Sequence, residues 1–192
     1  NIIERSRLSM SKILNCKASE IIFTSGGSES NNIVLKGILS KGDHLITSTY
    51  EHPSILSLAK QMENEGIEIT LIKPNKNGTI DSDKIESAIK QNTKLISIMY
   101  VNNELGTINP IQAIGDIAHK HNILFHSDAV QFIGKEKLDA ANLKIDFLSM
   151  GAHKFYGPKG IGALYCKNGV IFKPLIDGGG QEVTLRSGTL PV

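Results

Sequence analysis

Five short apolar runs recur along the chain, and each is soon followed by a polar residue capable of chemistry. The runs are residues 20–23 before Ser28, 45–48 before His52, 95–101 before Asn103, 123–125 before Asp128 and 145–150 before Lys154. Apolar runs this short, closed by turn residues, read as buried strands. Between them lie stretches with helical spacing. Residues 1–14 carry Ile2, Ile3, Leu8, Ile13 and Leu14 among polar residues, and Ile33, Leu35 and Ile38 mark a second helix. Further helices are predicted over 54–63, from an Asp81 cap to 90, and over 111–119, where Asn109 and Pro110 stand at the start. A segment at 67–72 adds another strand, and residues 162–166 form an extended piece that can turn back along the sheet. Strands alternating with helices predict an α/β domain with a parallel sheet. Right-handed crossovers then bring all five polar groups to one sheet edge, where open α/β sheets bind ligands.

Bulk properties narrow the partners. A chain of 192 residues with 40% hydrophobic content can bury one sizeable core. Its net charge of +2 is too small and too mixed for nucleic acid or an anionic membrane. No apolar run reaches the length of a transmembrane helix. The two cysteines, Cys16 and Cys166, lie far apart and make neither a disulfide framework nor a metal cluster. A reducing, cytoplasmic setting fits them, and both read as structural. No repeat, low-complexity tract or linker divides the chain. It starts at Asn1 without Met and stops at Leu190-Pro191-Val192 without a terminal helix, so it reads as a fragment.

Taken singly, each polar group has a plain alternative. The loop Thr24-Ser25-Gly26-Gly27-Ser28 opening a helix suits a phosphate, yet Ser28 also reads as an N-cap. His52, just before Pro53, also reads as a turn histidine. Asp128 also reads as a cap of its own turn. Lys154 follows the last run in Gly151-Ala152-His153-Lys154-Phe155-Tyr156-Gly157-Pro158. Partial burial there would favour a neutral amine suited to Schiff-base chemistry, whereas a lone lysine reads as a solvated surface group. His119 and His121 lie in a polar helix end and read as solvated. Five independent junction caps explain the pattern less well than one site does.

Ala152-His153-Lys154-Phe155-Tyr156-Gly157-Pro158-Lys159-Gly160, with Asp128-Ala129-Val130-Gln131 upstream and Arg186-Ser187-Gly188-Thr189 downstream, resembles the cysteine desulfurases of the NifS/IscS type. These are class V, fold-type I enzymes dependent on pyridoxal 5'-phosphate (PLP), and the matching motifs run from Phe23 to Thr189. The resemblance implies a three-layer αβα large domain, residues 1–192, whose mostly parallel sheet has one antiparallel strand. It implies that an N-terminal segment and a C-terminal small domain carrying the catalytic cysteine lie outside these residues.

The resemblance also implies roles. Lys154 would hold the cofactor aldehyde and later serve as base, Asp128 would pair with the pyridine nitrogen, and His52, the second catalytic residue, would lie over the ring. Asn103 and Gln131 would bond its polar edge, while Gly27, Ser28 and His153 would cradle the phosphate. Thr189 would reach the phosphate of a neighbouring subunit in a homodimer. Gly151 stands where the family usually carries a phosphate-binding serine or threonine, and Val183-Thr184 stand where Arg-Gly is common. The implied activity converts L-cysteine to L-alanine and supplies sulfur, through acceptor or scaffold proteins, for iron–sulfur clusters or tRNA thiolation. A selenocysteine lyase, an aminotransferase and a PLP-binding scaffold without turnover are the competing readings. No metal, nucleic acid or membrane is expected.

Overall fold

The computed structural model describes residues 2–136, 138–182 and 185–189. After α1 (Ile2–Ile13), the chain alternates strands and helices. In order these are β1 (Ile21–Thr24), α2 (Gly27–Ile38), β2 (His44–Ser48), α3 (Pro53–Asn64), β3 (Glu68–Ile72) and α4 (Ser82–Ser87). They continue through β4 (Thr93–Ser97), α5 (Ile111–Lys120), β5 (Leu124–Asp128), β6 (Phe147–Gly151) and β7 (Gly162–Cys166). One sheet contains all seven strands in the order β1-β7-β6-β5-β4-β2-β3. Strands β2 to β6 pair in parallel, and β7 runs antiparallel to both its neighbours. The expected mostly parallel sheet with one reversed strand is therefore what forms. None of the described helices is long and apolar enough to cross a membrane.

Successive strand residues point to opposite faces, and the sequence supplies apolar side chains for both. Leu45, Leu95, Phe147 and Leu164 pack with Ile33, Leu35, Ile55 and Leu58 of α2 and α3. Ile46, Ile96, Phe125, Leu148 and Tyr165 pack with Ile85, Ile111 and Ile114 of α4 and α5. Burial on both faces explains why these strands read as continuous apolar runs rather than alternating ones. It also makes three layers, helices above and below the sheet.

Several predicted boundaries move, two of them by enough to matter. The helix from Asp81 keeps its cap, the carboxylate accepting from Asp83 N at 3.0 Å, but it ends at Ser87. Strand β4 stops at Ser97 rather than at 101, its last pairing with β2 being Ser97 beside Thr47. Ile98 and Tyr100 still donate to the β5 carbonyls of His126 and Asp128 at 3.1 and 2.9 Å. On the other side the ladder is taken over by a side chain: Met99 N donates to Glu51 Oε1 at 3.0 Å. Asn109, placed at the start of α5, ties loops together instead. Its Oδ1 accepts from Tyr50 Oη and Ile80 N, each at 2.9 Å.

Candidate active site

The junctions after β1, β2, β4, β5 and β6 meet at the carboxyl edge of the sheet. A pocket of about 220 Å³ lies there, lined by Gly27, Ser28, His52, Met99, Asn103, Asp128, Val130, Gln131, His153 and Lys154. All five strand-end groups singled out in the sequence are thus on one wall system, with Gly27, Gln131 and His153 beside them. The volume lies below the roughly 300–1,000 Å³ of drug-sized sites, so a compact ligand fits it better than a dinucleotide.

Each group is held by its local chain geometry. Gly27 opens α2, so the backbone N–H groups of Gly27 and Ser28 belong to the first turn and have no partner within the helix. A side chain at Gly27 would not fit, since a Cβ there would meet Val130 Cγ2 at 2.4 Å. His52 caps α3 by accepting from Ser54 N at 3.2 Å, with Pro53 in the first turn. Asn103 sits in a tight loop shaped by its buried neighbour. Asn102 Oδ1 accepts from Glu104 N and Leu105 N at 3.0 and 2.8 Å, which turns the chain back towards the Val101–Ile108 bridge. Tyr100 and Phe132 stack at 3.9 Å and fasten the loops after β4 and β5 to each other.

Asp128 is the last residue of β5 and is 6% exposed. Its Oδ1 accepts from Val130 N at 3.0 Å and its Oδ2 from Asn31 Nδ2 at 2.8 Å. Burial pushes this carboxyl above its ordinary range, against the pull of those two donors and of His52. It has no ion pair among the described residues. A buried carboxylate of this kind, facing a pocket, favours a cationic ligand atom.

His153 and Lys154 stand in a single 3₁₀ turn, Ala152–Phe155, that leaves β6 and closes on Tyr156 in the left-handed region at φ 67°. Lys154 is exposed, so the expected partial burial of this lysine is not what the turn produces. Gly151 and Thr189 do not line the pocket. Gly151 is the buried end of β6, and Thr189 is exposed on the segment after Arg186. Residues 183 and 184, noted for their departure from the family pattern, lie outside the described residues.

Sequence reasoning missed Met99 and Val130 in the lining, and Glu51, Asn31 and Ser54 behind it. Glu51 immediately precedes His52, and burial pushes its carboxyl up to about 8 despite the hydrogen bonds from Ser48 Oγ and Met99 N. Its position one residue before a site histidine was the available signal.

An open α/β domain with a compact polar pocket at its strand ends is an enzyme-type architecture. The chain belongs to the class-V aminotransferase family, whose pattern it matches over residues 1–190. It is 49% identical over 191 residues to cysteine desulfurase IscS of Clostridium botulinum (strain Kyoto / Type A2), covering 97% of this chain and 48% of that protein. To the IscS of Pseudomonas entomophila (strain L48) it is 45% identical over 195 residues, with 98% and 48% covered. Among solved structures it superposes on SspA in complex with cysteine with a TM-score of 0.95 at 45% identity, covering 98% of this chain and 56% of that one. A match to DndA from Streptomyces lividans has a TM-score of 0.91 at 35% identity, covering 98% and 56%. The chain spans about half the length of the curated relatives it matches.

Proposed function

We propose that these residues are the cofactor-binding large domain of a PLP-dependent cysteine desulfurase, which turns L-cysteine into L-alanine and passes the sulfur on as a persulfide. The observation that carries this reading is the convergence of Ser28, His52, Asn103, Asp128 and Lys154 on one pocket. The cysteine desulfurase names of the relatives favour it over a selenocysteine lyase, an aminotransferase or a scaffold without turnover.

The donor set fits PLP at both ends. First-turn N–H groups of α2, with His153 and Ser28 nearby, suit a phosphate. The buried Asp128 carboxylate suits a protonated ring nitrogen, and Val130 packs so closely on Gly27 that only glycine fits at the start of α2. When bound, the cofactor supplies an aldehyde for amine chemistry and a ring that withdraws electrons from the substrate's α-carbon. The rest falls to the chain. Lys154 Nζ would be the amine that holds the aldehyde and the base for the α-proton. Asp128, its carboxylate held by the donors from Asn31 and Val130, would keep a proton on the ring nitrogen. His52, Asn103 and Gln131, which line the same pocket, would hold the ring. Gly151 gives the phosphate no hydroxyl.

Sulfur leaves to a thiol outside these residues. Cys166 is buried at the end of β7 and Cys16 follows α1, and neither lines the pocket. The reading includes a cytoplasmic homodimer in which the exposed Thr189 reaches the neighbouring subunit's phosphate, and sulfur-acceptor or scaffold proteins as partners. The test is alanine formation by the full-length protein with PLP and L-cysteine. Alanine lost in Lys154→Ala supports the reading, and alanine formed equally well by that variant contradicts it.

A further inference from the structure

Behind the pocket wall, side chains from α2, α3 and their junctions form a hydrogen-bonded chain whose direction is fixed by chemistry. Asn31, fully buried on α2, donates through Nδ2 to Asp128 Oδ2 and to Ser54 Oγ, each at 2.8 Å. An amide nitrogen only donates, so Ser54 Oγ accepts there and its own hydrogen goes to His52 Nδ1, 2.8 Å away. The Ser54 backbone N–H, which also only donates, reaches the same Nδ1 at 3.2 Å. Two donors on Nδ1 leave the ring hydrogen on Nε2. Turning the Asn31 amide over gives no alternative, because its carbonyl oxygen would then face the Asp128 carboxylate. Asn31 Oδ1 is buried with no partner, so this asparagine occupies the core for its two donations and not for its acceptor.

We propose that Asn31 and Ser54 are positioning residues that tie His52 to Asp128 and hold the His52 ring as its Nε2–H tautomer, so that the pocket is offered a hydrogen-bond donor and not a base. Nε2 has no partner among the described residues, and His52 is an exposed residue that lines the pocket. The catalytic meaning of this donor rests on the cofactor reading above, whereas the tautomer itself does not. One strut reaches both residues: a shift of Asn31 moves the group that faces the ring nitrogen and the group that covers the ring together.

The deciding experiment is long-range 1H–15N correlation spectroscopy of the histidine rings in the full-length protein, without added PLP, at a pH where imidazoles are neutral. His52→Gln assigns the signal. The expected spectrum has His52 as Nε2–H. In Ser54→Ala the proportion of the Nδ1–H form rises by about 2- to 10-fold, the worth of one hydrogen bond, and Ser54→Thr restores the parent pattern. A parent His52 found as Nδ1–H, or a proportion that Ser54→Ala leaves unmoved, overturns the proposal. Ser54 is only partly buried, so its alanine variant folds even if a change at the core residue Asn31 does not. With PLP and cysteine, Ser54→Ala is expected to lower kcat with KM little changed and to shift the pH profile, again rescued by threonine. An unchanged kcat and pH profile overturns the positioning role. Should the tautomer behave as expected while no variant or parent makes alanine, the cofactor reading fails and the tautomer assignment stands.

Discussion

The Arg186 guanidinium closes on the Glu29 carboxylate, with Nε 2.7 Å from Oε1 and Nη2 3.3 Å from Oε2. The same carboxylate accepts from Ser25 N at 2.6 Å, so the Arg186–Thr189 segment is fastened to the loop that opens α2. Burial alone would raise the Glu29 carboxyl, but Arg186 and Ser25 outweigh it and hold the group below its ordinary value. Glu29→Gln should cost about 1.5–3 kcal/mol at neutral pH, the range for a hydrogen bond to a charged group. A carboxyl with a lowered pKa stabilises the fold above its unfolded value and loses that contribution as pH falls through the folded one. The gap between parent and variant in denaturant unfolding should therefore close in acid. A gap independent of pH would show that the ion pair is not its source.

Two buried groups should give the stability curve a flat top. Burial pushes Glu51 up from 4.5 to about 8 and pushes His126 down from 6.5 to about 3. Between pH 4.5 and 8 the folded chain keeps a Glu51 proton that the unfolded chain has lost, so stability falls as pH rises. Between pH 3 and 6.5 the unfolded chain takes a His126 proton that the folded chain refuses, so stability falls as pH drops. Each slope is about 1.4 kcal/mol per pH unit, and the two cancel where the windows overlap. Glu51→Gln should remove the alkaline fall while leaving the acid one. Unfolding free energies measured across this range check it, and an alkaline slope unaltered by the substitution would contradict the assignment.

The strand-end groups were legible in the sequence because each is a local signal, a polar residue placed just past an apolar run. His52 and Asp128 needed no knowledge of distant contacts. Glu51 was not legible in that way. Its partner Met99 lies 48 residues away, and its burial arises only when the chain leaving β2 folds against the chain leaving β4. Asn31 fails for a related reason. Its polar surroundings in the sequence give no local signal, and only the packing of α2 against β5 carries it under Asp128. The exposure of Lys154 is a property of one 3₁₀ turn, which residue types do not specify.

Both cysteines should be poor nucleophiles. Burial, with Glu20 adding to it, pushes Cys16 up to about 12. Cys166 is likewise pushed up to about 12, by burial and then by Asp146 and Glu20. Since the thiolate is the reactive form, alkylation at neutral pH should be far slower than for a free thiol. Cys16→Ser and Cys166→Ser should each leave the proposed desulfuration by the full-length protein unchanged. Loss of activity in either one would place the sulfur-accepting thiol within these residues.

Gly151 can take the hydroxyl its position lacks. A Cβ there would meet nothing nearer than 3.4 Å, an ordinary van der Waals contact with His153. Gly151→Ser should therefore fold normally and bind PLP about ten-fold more tightly, one charge-assisted hydrogen bond to the phosphate. Fluorescence titration with PLP measures this. Equal or weaker binding would show that the phosphate does not lie against the end of β6.

On the proposed function, Lys154 carries the cofactor at the strand-end pocket. Borohydride reduction of the PLP-loaded full-length protein, followed by peptide mass spectrometry, tests it directly. The expected result is a phosphopyridoxyl group on Lys154 in the parent and none on that peptide in Lys154→Ala. Modification of Lys159 instead, or a label that persists in Lys154→Ala at the parent level, would contradict the account.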